Sequence, residues 1–186
     1  MIIQVRSTSG GGKSWVMKQL MERLGPFEGI LEKGRKKPLF YSNAQDVCIL
    51  GHYESACGGC DNIGSAAAVY ELIQRLEGGT YNGNKRIILC EGLLLSEDSK
   101  WTSQLNEIRV IYLTTDVEQC IAQIKSRRAL VGNEKPLKED NTRNRVKVIV
   151  RSRVKLLESG VMCRRCTAKQ APGIILNWIK ELQDAK

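Results

Sequence analysis

Ser7-Thr8-Ser9-Gly10-Gly11-Gly12-Lys13-Ser14 follows the apolar run Ile2-Ile3-Gln4-Val5-Arg6 and precedes Trp15, Val16, Leu20 and Leu24, spaced to bury one face of a helix. A glycine-rich turn between a strand and a helix, closing on Lys-Ser, is the setting in which backbone amides wrap phosphates. Ser9, Gly10, Gly11 and Gly12 are expected to bring those amides close to a nucleoside triphosphate, since glycine allows the tight approach. Lys13 is expected to reach the β and γ phosphates and Ser14 to ligate Mg²⁺, with the positive end of the helix adding to both. The usual G-x-x-x-x-G-K-S pattern is broken only at its first glycine, here Ser7, which fits if its backbone keeps a negative φ.

Outward from this loop, short apolar strands alternate with amphipathic helices, which predicts an α/β fold with a mainly parallel sheet flanked by helices. Gly25-Pro26 ends the first helix. Leu39-Phe40-Tyr41 and Val47-Cys48-Ile49-Leu50 read as strands joined by a polar turn, and a helix is expected around Ala66 to Leu76. Arg86 to Leu94 reads as one strand buried on both faces, and Ile108 to Leu113 as another. Thr114-Thr115-Asp116 then opens a helix that Asp116 can cap. Ala129 to Asn141 reads as a mobile connection, followed by a basic helix from about Thr142 to Leu157. Gly160 to Cys163 is the expected last strand and Ile174 to Leu182 the closing helix. The 186 residues suit a single domain with a lid-like segment at about 127–145.

No apolar run approaches the roughly 20 residues that cross a bilayer, and the chain enters a strand at once, so neither a membrane span nor a signal peptide is expected. Lys and Arg total 29 against 20 acids, a net charge of +9. That excess suits a polyanion such as DNA, though ATP handling also recruits cations. The seven cysteines, odd in number, do not suggest a disulfide framework. Cys48 and Cys90 lie inside apolar runs and read as core. Cys57-Gly-Gly-Cys60 and Cys163-Arg-Arg-Cys166 stand about a hundred residues apart, outside the local spacing of zinc ribbons, so no zinc is expected.

Glu91 ends an apolar strand before Gly92, where a carboxylate can join Ser14 at a Mg²⁺. The segment from Gly51 to Asn62 directly follows a strand, the edge at which open α/β sheets bind ligands. Within it Asp61 is the first candidate for the base that takes a proton from a hydroxyl acceptor, and Glu54 the second. Asp61 could equally cap the helix near Ile63 to Leu76. His52 is a substrate contact or a structural strand-end residue, and Tyr53 a stacking face or a packed ring. Lys33-Gly-Arg35-Lys36-Lys37 and the helical row Arg143, Lys147, Arg151 could track a phosphate backbone or simply face solvent.

Val110-Ile111-Tyr112-Leu113, Thr114-Thr115-Asp116 and Glu118 to Arg127-Arg128 resemble the strand and lid-entry helix of P-loop nucleoside and nucleotide kinases. That resemblance implies that Arg127 or Arg128 closes on the base or phosphates of ATP, and that Arg143 or Arg145 is the returning lid arginine. It also implies an adenine-contacting turn at Cys166 to Pro172. Size, basicity and the Gly-His-Tyr-Glu…Cys-Gly-Gly-Cys-Asp loop make the chain similar to the phage kinases that phosphorylate 5-hydroxymethyluracil within DNA. The implied function is ATP- and Mg²⁺-dependent phosphotransfer to DNA, in the host cytoplasm if the chain is phage-encoded. A kinase of free nucleosides or nucleotides, and an assembly ATPase, are the rivals. No water-positioning residue of the kind an ATPase needs is identifiable.

Overall fold

The computed structural model describes residues 1–32, 34–54, 58–79, 87–133 and 135–184. Its elements run β1 (Ile2–Arg6), α1 (Lys13–Arg23), β2 (Glu28–Ile30), β3 (Phe40–Ser42), β4 (Val47–Leu50), α2 (Ala66–Glu77) and β5 (Ile87–Glu91). They continue with α3 (Leu93–Glu97), β6 (Ile108–Leu113), α4 (Val117–Leu130), α5 (Glu139–Glu158), β7 (Met162–Cys166) and α6 (Ala171–Asp184).

One seven-stranded sheet has the order β2-β3-β4-β5-β1-β6-β7. Strands β4, β5, β1, β6 and β7 are parallel, while β3 pairs antiparallel with β4 and β2 with β3. Parallel strands need crossovers, and the crossover helices cover both faces. Adjacent residues of β1 therefore serve opposite layers. Ile3 packs with Met17 and Leu20 of α1 and Trp178 of α6. Ile2 packs with Val69 and Ile73 of α2 and Leu156 of α5. Each such fully buried side chain contributes about 1.5–3 kcal/mol.

The apolar run beginning at Ile87 is not one strand through Leu94. The strand ends at Glu91, and Leu93–Glu97 forms a short helix. Arg86 lies outside the described residues. The last strand is Met162–Cys166, starting and ending later than expected, because the turn after α5 consumes Ser159 and Gly160. Asp116 caps α4 as expected, accepting from the amides of Glu118 and Gln119 at 2.9 and 3.1 Å.

At the end of β1, Arg6 is fully buried. Its guanidinium donates to Gln4 Oε1, Thr102 Oγ1, the Asp98 carbonyl, the Ser152 hydroxyl at 2.9 Å and the Tyr112 hydroxyl at 3.3 Å. Tyr70 on α2 joins through hydrogen bonds to Asp98 and Thr102. This polar cluster ties β1, α2, β6 and α5 together beneath the loop that begins at Ser7.

Candidate active site

The loop at Ser7 to Ser14 turns on glycines with left-handed backbones, Gly10 at φ +78° and Gly12 at φ +91°. A Cβ on Gly10 would stand 2.3 Å from the carbonyl oxygen of Cys120, so no larger residue fits against α4 there. Ser7 is not among the residues with positive φ, which is the condition for replacing the first glycine of the pattern. Lys13 is buried, and its Nζ donates to the carbonyls of Ser7 at 2.9 Å and Thr8 at 3.1 Å. Burial lowers the Lys13 pKa, against the opposing pull of the Glu91 and Asp61 carboxylates.

Glu91 stands beside this loop because β5 pairs with β1 in the register Val5↔Glu91. It is buried, and the Ser14 hydroxyl donates to its Oε1 at 2.7 Å. Burial pushes the Glu91 carboxyl up to about 7, with Lys13 and the Ser14 hydrogen bond opposing and Asp61 adding to the rise. Gly59, at φ +87°, makes this possible: a Cβ there would lie 2.3 Å from Glu91 Oε1. A carboxylate and a hydroxyl in contact at the head of a phosphate loop are hard oxygen donors of the kind and number Mg²⁺ takes from protein.

Asp61 sits in the short turn Cys60–Asn62 after β4. It does not cap α2, whose cap is Ser65, accepting from the Ala68 amide at 3.2 Å. Its carboxylate instead accepts from the Leu93 amide at 2.8 and 3.0 Å and from the Leu94 amide at 3.3 Å, at the head of α3. A cavity of about 320 Å³ is lined by residues 9–14 of the loop together with Gly58, Asp61, Asn62, Glu91, Gln123 and Arg127. Lys13, Ser14, Glu91, Asp61 and Arg127 thus share one space. Gly58, Asn62 and Gln123 were not singled out from sequence, since nothing local distinguishes a residue brought in by the packing of its helix or turn.

Other candidates lie elsewhere. Tyr53 is a packed ring: it is buried, its hydroxyl donates to the Leu50 carbonyl at 3.1 Å, and it tilts against Tyr41 with centroids 6.2 Å apart. His52 is also buried, with Nδ1 lacking a hydrogen-bond partner among the described residues, and its backbone bridges to Gly59. Glu54 is exposed and accepts from the Tyr41 hydroxyl at 3.3 Å; it does not line the cavity. Arg143 is tied to Glu118 and Glu139 on the outer surface of α4 and α5, whereas Arg145, the other lid candidate, lines a second cavity with Arg127 and Arg128. Cys48 and Cys90 are core residues. Cys57 lies outside the described residues, Cys60 is buried beneath the Leu50 carbonyl, and Cys163 and Cys166 sit on β7.

No protein-family model matches the chain. Among curated proteins, the "5-hmdU DNA kinase" of Pseudomonas phage PaMx11 is 35% identical over 170 residues, covering 86% of this chain and 87% of the relative. The "5-hmdU DNA kinase" of Pseudomonas phage M6 is 26% identical over 198 residues, covering 99% and 95%. Among solved structures, deoxyadenosine kinase from M. mycoides with bound dCTP aligns at TM-score 0.49 and 16% identity, over 97% of this chain and 100% of that one. A phosphate loop with its lysine, serine and strand-end carboxylate in place, on a chain with this degree of identity to its phage relatives, is a kinase, and the chain belongs to the 5-hmdU DNA kinase family.

Proposed function

We propose that the protein transfers the γ-phosphoryl group of ATP to the hydroxymethyl oxygen of 5-hydroxymethyluracil in DNA. The observation that carries this reading is the shared cavity, in which Asp61 faces the same space as Lys13, Ser14 and Glu91. The acceptor oxygen attacks the γ-phosphorus, the bond to the β–γ bridging oxygen breaks, and ADP leaves. The acceptor's proton passes to the Asp61 carboxylate.

Lys13 leaves its two loop carbonyls for the β and γ phosphates, and Arg127 neutralises charge that develops on the transferred group. Ser14 and Glu91 would hold Mg²⁺, which would offset negative charge on the donor's phosphates. Residues 127–145 act as the lid that excludes water. The target base must leave its stack to reach this cavity.

The test is γ-labelled ATP offered with 5-hydroxymethyluracil DNA, unmodified DNA, the free nucleoside and the free nucleotide. Label is expected in the modified DNA alone, and Lys13→Ala should abolish it while leaving the fold intact. Efficient transfer to the free nucleotide with none to DNA would replace this reading with a nucleotide kinase. Label released only as inorganic phosphate would replace it with an ATPase.

A further inference from the structure

A second cavity, of about 420 Å³, opens beside the first, between the start of the phosphate loop, the end of α4 and the first turns of α5. Five cations line it, Arg127, Arg128, Lys135, Lys138 and Arg145, and no acidic side chain does among the described residues. Nearby carboxylates are otherwise engaged: Glu139 with Lys125 and Arg143, and Glu118 with Arg143. Glu97 Oε1 pairs with Arg145 Nε at 3.7 Å, an ion pair too long for a hydrogen bond, and Asp61 and Glu91 face Arg127 from the first cavity. Thr8 also lines the cavity, and its buried hydroxyl has no hydrogen-bond partner among the described residues.

Such a concentration of positive charge calls for an anion, and its position relative to the phosphate loop says which one. Ser9 and Arg127 line both cavities, so a ligand in the second abuts the reacting centre. The donor's phosphates have their own cradle in the first cavity, with Lys13. The opposite end of the loop is closed by other groups: the Thr115 hydroxyl donates to the Gly11 carbonyl at 2.9 Å, and Ala168 stands against Gly12. The second cavity is thus a separate cationic chamber at the Thr8–Ser9 end, at the small end of the range for ligand sites.

We propose that this chamber is a phosphodiester subsite that grips the DNA backbone phosphate next to the target nucleotide, with Lys138 and Arg145 as its dedicated cations. The assignment rests on the DNA-kinase reading above. It gives that reading a physical basis for preferring DNA over a free nucleoside, which has no phosphate to place there, and over a free nucleotide, which has a monoester in place of a flanking diester. A diester oxygen gripped by charge-assisted hydrogen bonds also fixes the hydroxymethyl group relative to the γ-phosphate.

The experiment pairs protein and substrate changes. Lys138→Gln with Arg145→Gln is compared with the unaltered protein on short 5-hydroxymethyluracil oligonucleotides. In these, one diester flanking the target is replaced by an uncharged methylphosphonate. The double variant is expected to raise KM for the all-phosphate oligonucleotide about ten-fold, well beyond any rise in KM for ATP. The methylphosphonate should cost the unaltered protein a similar factor at one flank and cost the variant almost nothing further, the non-additivity of partners in contact. Additive losses, a methylphosphonate without effect at either flank, or a rise in KM for ATP instead of DNA would overturn the subsite alone. No transfer to DNA by the unaltered protein would overturn the DNA-kinase reading and the subsite with it.

Discussion

Asp61 has two uses in this fold, and one substitution separates them. Its carboxylate holds the amides of Leu93 and Leu94 while lining the phosphate-loop cavity. Asparagine accepts amide hydrogen bonds at a helix head about as well as aspartate. Asp61→Asn therefore keeps the head of α3 in place and removes only the proposed proton acceptor. The chemical step should fall about 10²–10⁴-fold with ATP affinity nearly unchanged, measured by single-turnover kinetics and nucleotide titration. Glu54→Gln should leave the step alone. The reverse pattern would move the role to Glu54, which lies in the same loop after β4 but outside the cavity. Lys13 and Ser14 were readable from sequence because the phosphate loop's requirements are local: glycines for the turn, then a cation and a hydroxyl. The partner of Asp61 was not, because Leu93 stands 32 residues further along the chain.

Elements with a clear period or clear ends were legible, and those defined by distant partners were not. The sheet's central strands and the helices after them follow directly from apolar runs and turn residues. Strand β2 has three residues, Glu28-Gly29-Ile30, too few to show a period. Helix α3 was hidden because Leu93-Leu94-Leu95 continues the apolar run of β5, and apolarity alone does not tell strand from helix. The Arg6 cluster was equally opaque: in sequence Arg6 is a charge at a strand end, and its partners Thr102 and Ser152 arrive from elsewhere in the fold. Removing that guanidinium strips Gln4, Thr102 and Ser152 of a shared donor and leaves a hole among four elements. Arg6→Ala should cost on the order of 3 kcal/mol, read as a lower midpoint in urea at an unchanged slope. Arg6→Lys should recover only part, since an ammonium cannot serve the fork of acceptors. A loss within experimental error would mean that the cluster does not hold the elements together.

Across the whole molecule, the net charge of +9 acquires a direction from the sheet register. Ile30 pairs with Phe40 and Phe40 with Leu50, so the connection between β2 and β3 leaves the sheet at the same edge as the loop after β4 that carries Asp61. That connection holds Arg35, Lys36 and Lys37, all exposed; Lys33 lies outside the described residues. The row on α5 is less free than its spacing suggested, because Arg143 is committed to Glu118 and Glu139, leaving Lys147 and Arg151 exposed. A polyanion engaging the Asp61 edge therefore meets the β2–β3 tract on its way, and affinity for DNA should fall steeply with salt, at about −0.9 log units per log unit for each phosphate neutralised. Lys36→Ala with Lys37→Ala should weaken binding to modified and unmodified DNA alike and flatten that slope by up to about two units. Preference for the modified base should survive, because nonspecific phosphate contacts position the strand without reading the base. Binding measured at several salt concentrations, with and without the target base, decides the matter. An unchanged slope in the double variant would show that the DNA path avoids this edge, even if phosphotransfer to DNA stands.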